Sequence, residues 1–206
     1  MIDLSKSDGI WTLRLDRPAK ANALTLEMLE CIAEVAQEAV VARALIITGT
    51  GKVFSAGADL EEAKTGLATA DVWEKVSGAI ADLSCLTITA LNGTLAGGAF
   101  GMALACDIRI AVPHAKFFYP VMKLGYLPQP SDPARMAALI GPSRTKMVLM
   151  AGQKLSAEDA LAYGLIERIY QPENLMEQAI ELTNDICIAT PEHVTGIKKM
   201  CTLKVV

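Results

Sequence analysis

Phe54-Ser55-Ala56-Gly57-Ala58-Asp59 and Asn92-Gly93-Thr94-Leu95-Ala96-Gly97-Gly98 decide how this chain is read. Each is a glycine-marked turn that follows an apolar, β-like run and opens a helix-like one. Ala44-Leu45-Ile46-Ile47 leads into the first, and Leu86-Thr87-Ile88-Thr89-Ala90-Leu91 into the second. Junctions of this kind leave unpaired backbone N–H groups at a helix N-terminus. One alone only turns the chain, as it does in many α/β proteins. Two that converge can hold an oxyanion.

Working outward, strands are expected near 10–15, 44–48, 86–91 and 108–111, with helices between them. Residues 25–41 carry Leu29, Ile32, Ala33, Ala36 and Val40 at helical spacing, with Thr25 as the cap. The tail reads mainly helical, over 144–151, 157–163 and, after Pro172, 173–188. Alternating strands and helices require crossover connections, hence a largely parallel sheet in an α/β fold. From Leu83 to Cys106 no residue is charged, which satisfies the length rule for a membrane span. Asn92-Gly93 and Gly97-Gly98 interrupt that stretch, so it reads as a buried strand, a turn and a buried helix.

With 206 residues, 52% of them hydrophobic, the chain can bury one sizeable core without splitting. Its net charge of −4, with Lys198-Lys199 far short of a basic cluster, argues against a nucleic-acid surface. Five cysteines with no C-x-x-C spacing disfavour both a disulfide framework and a zinc site. They read as buried thiols of a cytoplasmic protein, and Met1-Ile2-Asp3-Leu4 lacks the basic-then-apolar start of a secretory signal.

The residues around the two turns resemble the crotonase superfamily, the enoyl-CoA hydratase/isomerase family, over nearly the whole chain. The resemblance runs in order through Arg17-Pro18-Ala19-Lys20-Ala21-Asn22-Ala23-Leu24-Thr25, Val53 to Leu60, Ala90-Leu91-Asn92-Gly93, Ala96-Gly97-Gly98 and Leu104-Ala105-Cys106-Asp107-Ile108-Arg109. It continues through Ala115-Lys116-Phe117, Leu139-Ile140-Gly141, Leu155 to Ala160 and Tyr163-Gly164-Leu165-Ile166. It implies a β-β-α spiral core over 1–190 and, from 191 to 206, the start of a shortened C-terminal helical segment. It also implies a homotrimer, and an acyl-CoA or acyl-carrier thioester as substrate, with coenzyme A as the carrier part and no separate cofactor or metal.

By the same resemblance, the amides of Ala58 and Gly98 are the oxyanion-hole donors, and Ala23, Leu24, Ala56 and Leu60 border the coenzyme A site. The chemistry suits a thioester whose α-carbon loses a proton or a carboxylate, because fixed N–H donors stabilise the charge that gathers on the carbonyl oxygen. Gly97-Gly98 also reads as a close helix-sheet contact. Asp59, at a helix start, reads as a cap rather than a catalyst.

The family's hydratases carry two glutamates, one shortly after the Gly-Gly turn and one after the proline of a Phe-x-x-Pro-Glu stretch. Here Gly97-Gly98-Ala99-Phe100-Gly101 and Phe117-Phe118-Tyr119-Pro120-Val121 keep the frames but place Gly101 and Val121 at those positions. Neither moves a proton, so ordinary hydration and single-glutamate isomerisation are not expected. Tyr119, Lys123 and Asp132 are the candidate proton donors near the vacated positions. Asp132 reads first as the cap of a helix over 133–140, with Pro133 in its first turn, and His114 and His193 read as surface residues. Decarboxylating members of the superfamily, of the polyketide β-branching type, also lack both glutamates. That reaction needs the oxyanion hole and an acid but no base, and a catalytically silent thioester-binding homologue stays open beside it.

Overall fold

The structure, a computed structural model, describes residues 1–201; the last residues of the expected C-terminal segment, 202–206, lie outside the described residues. The chain opens with a hairpin of β1 (Ile2–Ser7) and β2 (Ile10–Leu15), turned through Asp8 and Gly9 at φ 50 and 81. Eight further strands follow: β3 (Ala44–Gly49), β4 (Val53–Ser55), β5 (Leu86–Leu91), β6 (Thr94–Ala96), β7 (Ile108–Ala111), β8 (Lys116–Phe118), β9 (Leu155–Ser156) and β10 (Arg168–Ile169). They form a six-stranded sheet in the order β1-β2-β3-β5-β7-β10 and a four-stranded sheet in the order β4-β6-β8-β9. Apart from the first hairpin the large sheet is parallel, as the alternation implied. β3 is buried along its whole length, which is why its sequence is continuously apolar rather than alternating.

The spiral is visible in the strand pairs. β3 and β4, β5 and β6, and β7 and β8 each lay one strand in the large sheet and, a turn of two to four residues later, a short strand in the small one. In the small sheet β4, β6 and β8 run parallel, Val53 opposite Thr94 and Leu95 opposite Phe117. Their C-terminal ends therefore emerge side by side. The segments that leave them are residues 56–59, 97–98 and 119–121, so the fold itself brings both glycine turns and the Tyr119 segment to one edge.

Ten helices complete the described chain: α1 (Leu26–Glu38), α2 (Leu60–Lys64), α3 (Val72–Ala81), α4 (Phe100–Ala105), α5 (Val121–Leu124), α6 (Asp132–Leu149), α7 (Ala157–Tyr163), α8 (Leu175–Glu181), α9 (Asn184–Ile188) and α10 (Pro191–Cys201). Thr25 caps α1 as expected, accepting from the Met28 amide at 3.2 Å. The apolar face of α1, with Met28, Leu29, Ile32 and Ala36, enters the core. α6 is kinked at Gly141, φ 79, ahead of Pro142, so its two legs correspond to the helices expected before and after that pair. The helix expected over 173–188 is instead broken into α8 and α9 at Leu182-Thr183, where buried Thr183 donates its hydroxyl to the Ile180 carbonyl at 2.7 Å.

The uncharged stretch from Leu83 to Cys106 folds as β5, β6 and α4, and no helix of the described residues is long and apolar enough to cross a membrane. The cysteines are corrected in part. Cys85 and Cys106 are buried and Cys31 half-buried, but Cys187 and Cys201 are exposed. Burial pushes the Cys106 thiol up to about 11, which keeps it protonated and poorly nucleophilic.

Candidate active site

The first glycine turn is tied down by the early Arg17–Thr25 segment. Ala21 and Asn22 sit at φ 51 and 52, and the Asn22 side chain accepts from the Arg17 amide at 2.8 Å and donates to the carbonyls of Val53 and Thr50 at 2.8 and 3.0 Å. Leu24 pairs with Ala58 as an isolated parallel bridge. The consequence is an accounting of amides. Ala56 N–H donates to Ala21 O at 3.0 Å, Gly57 N–H to the Ser55 hydroxyl at 3.2 Å and Asp59 N–H to Leu24 O at 2.8 Å. Among the described residues, the Ala58 N–H is the one amide of residues 56–59 without an acceptor. A buried or half-buried donor left in this way is uncommon and is the form a ligand site takes.

Asp59 caps α2, its Oδ1 accepting from the amides of Glu61 and Glu62 at 3.0 and 3.4 Å. Arg17 holds its other oxygen at 2.7 Å, and that hydrogen bond keeps the carboxyl below its ordinary value. The capping reading therefore describes its contacts, and the aspartate is committed to structure.

The second turn meets the first directly. Gly57 has φ 92, and a Cβ there would lie 3.0 Å from Ala96 O and 3.4 Å from Gly97 Cα. Gly97, at φ 57, begins the 3-10 helix Gly97–Ala99, which continues into α4. As its second residue, Gly98 has an N–H with no partner inside the helix. A Cβ on Gly98 would lie 3.1 Å from the Trp73 ring, so the close-packing reading of this glycine also holds: Trp73 on α3 crowds any side chain there. Trp73 is itself fixed by its indole N–H, which donates to Leu67 O at 2.7 Å.

Ala58 and Gly98 lie on the wall of one cavity of about 130 Å³. Its other walls include Ala56, Leu60, Trp73, Gly97, Tyr119, Val121, Tyr126 and Gln129. Of the residues expected at the coenzyme A site, Ala56 and Leu60 line this cavity and are exposed, whereas Leu24 is fully buried and Ala23 nearly so. Leu24 touches the site through its backbone pairing with the first turn. A larger hollow of about 600 Å³, against Leu86, Asp107, Ile186, His193 and Lys198, shares no lining residue with this cavity.

The candidate proton donors separate. Lys123 is exposed on α5 and does not line the cavity, because this four-residue helix turns Val121 and Leu124 to the cavity and Met122 and Lys123 away from it. Tyr119 lines the cavity and is buried, its ring stacked on Phe100 at 5.4 Å between centroids. Its hydroxyl donates to Asp132 Oδ2 at 2.9 Å and accepts from the Gln129 amide at 3.3 Å. Asp132 corrects the capping expectation. It is the first residue of α6 after the N-cap Ser131, and its side chain is wholly buried rather than turned onto the helix end. Burial drives its carboxyl up to about 7, the Tyr119 hydrogen bond lowers it, the Glu74 charge raises it and Arg135 lowers it. Tyr119 is raised as well, by burial first and by Asp132 next. His114 and His193 are exposed, as expected.

Trp73 is a wall that the sequence alone did not single out. Trp73 lies with Val72, Val76 and Ile80 on the buried side of an amphipathic helix, so its spacing signals core. Gln129 sits in the proline-bounded loop and is held by donating to Ala68 O at 3.2 Å.

Residues 5–205 match the profile of the enoyl-CoA hydratase/isomerase family. The chain belongs to that family. It is 31% identical to 4-chlorobenzoyl coenzyme A dehalogenase-1 of an Arthrobacter species, over 96% of this chain and 76% of that protein. It is 34% identical to carnitinyl-CoA dehydratase of Salmonella arizonae, over 96% and 78% respectively. Among solved structures, an enoyl-CoA hydratase from Bacillus anthracis superposes with a TM-score of 0.90 at 30% identity, covering 96% of this chain and 81% of that one. The fold is thus the crotonase fold, an α/β architecture of parallel sheets and helices. A dehalogenase, a dehydratase and a hydratase share it, so the reaction of a member is decided by its side chains.

Proposed function

We propose that this enoyl-CoA hydratase/isomerase family member acts on acyl-CoA thioesters by holding a thioester enolate oxygen between the Ala58 and Gly98 amides. The reaction it runs needs enolate stabilisation and one proton at the α-carbon, without the two carboxylates of hydration. The observation that carries this reading is the amide accounting in the first turn, where the N–H groups of Ala56, Gly57 and Asp59 are spent on the fold and that of Ala58 is not, together with the shared cavity that Ala58 and Gly98 line. Each such donor contributes about 3 kcal/mol to the stabilised transition state. Gly101 and Val121 offer no proton; of the two tyrosines that line the cavity, Tyr119 and Tyr126, Tyr119 is the one hydrogen-bonded to a buried carboxyl. Coenzyme A enters as the carrier part of the substrate, bordered by Ala23, Leu24, Ala56 and Leu60, with no separate cofactor or metal. The family's habit of assembly extends the proposal to a homotrimer in the cytoplasm.

A decarboxylase is the second reading, and one observation favours it. Among the described residues none that lines the cavity carries a charge. A malonyl-type carboxylate placed there would lose its water without gaining a cation, and loss of carbon dioxide would relieve that. A mass-spectrometric turnover screen over enoyl-, malonyl-type and β-ketoacyl-CoA thioesters tests both readings. Conversion of a malonyl-type substrate supports the second, and exchange or isomerisation without carbon loss supports the first alone. Thioester binding with no conversion anywhere in the panel would mean a silent homologue and would overturn the catalytic proposal.

A further inference from the structure

Gly101 and Asp132 compete for one space. A Cβ on Gly101 would lie 3.2 Å from Asp132 Oδ1 and 3.8 Å from Oδ2, with Ser77 on its other side at 3.5 Å. The Asp132 carboxyl, arriving from α6, therefore stands where a longer side chain at position 101 would begin. Glycine at 101 and aspartate at 132 are compatible with each other, and any side chain at 101 would crowd the Asp132 carboxyl from its first carbon onward. From this juxtaposition we infer that Asp132 is the carboxyl group of this site, relocated from α4 to α6, and that it exchanges its proton with the substrate α-carbon through the Tyr119 hydroxyl. The inference rests on the thioester reading above and assigns Asp132 a positioning and proton-holding role rather than contact with substrate.

Three further features agree. Asp132 is fully buried, and Tyr119 is its hydrogen-bond partner at 2.9 Å, while Oδ1 has no partner among the described residues. A buried carboxyl with so little satisfaction costs stability, which fold alone does not require and a working acid does. The charged groups facing it are Glu74 from α3 and Arg135 from its own helix. Glu74 is held in place by the Ser131 amide and hydroxyl at 2.9 and 2.6 Å, so its negative charge steadily favours the protonated form of Asp132. Tyr119 bridges this buried pair to the cavity.

The step balances in both directions. To reprotonate an enolate, the α-carbon forms a C–H bond as the Tyr119 O–H breaks, and the phenol oxygen takes the proton of the Asp132 carboxylic acid, leaving a carboxylate. To form an enolate, the α C–H proton passes to the Tyr119 oxygen while the phenol proton passes to the Asp132 carboxylate. Electrons stay with carbon and the oxygens, and no oxidant or further reactant enters.

Exchange of α-hydrogen for deuterium in butyryl-CoA, followed by mass spectrometry in deuterated buffer, tests the relay. Wild-type protein is expected to exchange, with a rate that rises through about pH 7 to a plateau as Asp132 ionises. Asp132→Asn and, as a variant that leaves α6 untouched, Tyr119→Phe should each lower the rate about 100-fold or more and abolish the inflection, with butyryl-CoA affinity retained by calorimetry. Exchange at the wild-type rate with the same inflection in both variants would overturn the relay and leave the thioester reading standing. Binding without exchange by the wild type would overturn it equally. Absence of butyryl-CoA binding would remove the thioester reading and the relay together.

Discussion

Substituting Ala58 by proline removes the one N–H of its loop that lacks an acceptor, and adds no charge. On the oxyanion account, turnover of whichever thioester the protein converts falls about 100- to 1,000-fold while the circular dichroism spectrum is retained; an unchanged rate in a folded variant contradicts it. Asp132 makes a separate prediction about stability. Its folded carboxyl is raised from 3.8 to about 7, so between those values the native state binds the extra proton. Stability therefore falls as pH rises across that window, by about 2–4 kcal/mol in all. Asp132→Asn, which cannot ionise, should be more stable than wild type at pH 8 and show much less gain at pH 4 in urea unfolding. Equal differences at both pH values would show that the carboxyl is not held protonated. Gly101 and Val121 could be read as vacated positions directly from Phe100-Gly101 and Pro120-Val121. The partnership of Asp132 with Tyr119 could not, because it joins residues 13 apart through a buried contact that no local pattern encodes. The residue types beside Asp132, a serine before it and a proline after it, point instead to a helix cap.

At the scale of elements, the site is a product of strand order. β4, β6 and β8 end side by side, and Gly57 against Gly97 closes the gap between the first two. Gly57→Ala would force a side chain into φ 92 with its Cβ 3.0 Å from Ala96 O. A cost of about 2 kcal/mol is expected, a fall in melting temperature of about 4–8 °C, together with weakened thioester binding. A variant with native stability and affinity would show that the two turns need no such approach. Arg109 tests a purely structural element. Its guanidinium, nearly fully buried, donates to Glu167 at 2.6 Å and to the carbonyls of Leu165 and Cys106 at 2.9 and 2.7 Å, tying β7 to the segment before β10. Arg109→Met should lose about 3 kcal/mol by leaving these acceptors unpaired, and should leave the Kd for acyl-CoA nearly unchanged. Loss of binding at intact stability would place Arg109 in the site. The strands β3 and β5 were legible in the sequence as largely apolar six-residue runs, and the helix α1 by the helical spacing of its buried residues. β4, β6 and β8 have three residues each, too few to show alternation, and the two-residue β9 and β10 exist only through their partners. The break between α8 and α9 escaped the pattern because it carries neither glycine nor proline.

For the molecule as a whole, the proposed oxyanion hole belongs to the crotonase spiral and the proposed proton chemistry to a few side chains. The family's scaffold was legible because its turns are marked by Asn22, at φ 52, and by Gly57 and Gly97, at φ 92 and 57, conformations that few other residues adopt. Crotonyl-CoA hydration by the purified protein is expected to be about 1,000-fold or more slower than by a hydratase with both glutamates. Robust hydration would mean that Gly101 and Val121 are not the relevant positions. The most direct measurement is the carbon-13 resonance of butyryl-CoA labelled at its thioester carbonyl, free and bound. Polarisation of that carbonyl by the Ala58 and Gly98 amides predicts a downfield shift on binding to wild-type protein, lost in Ala58→Pro. A bound thioester whose carbonyl resonance stays at its free position would contradict the account.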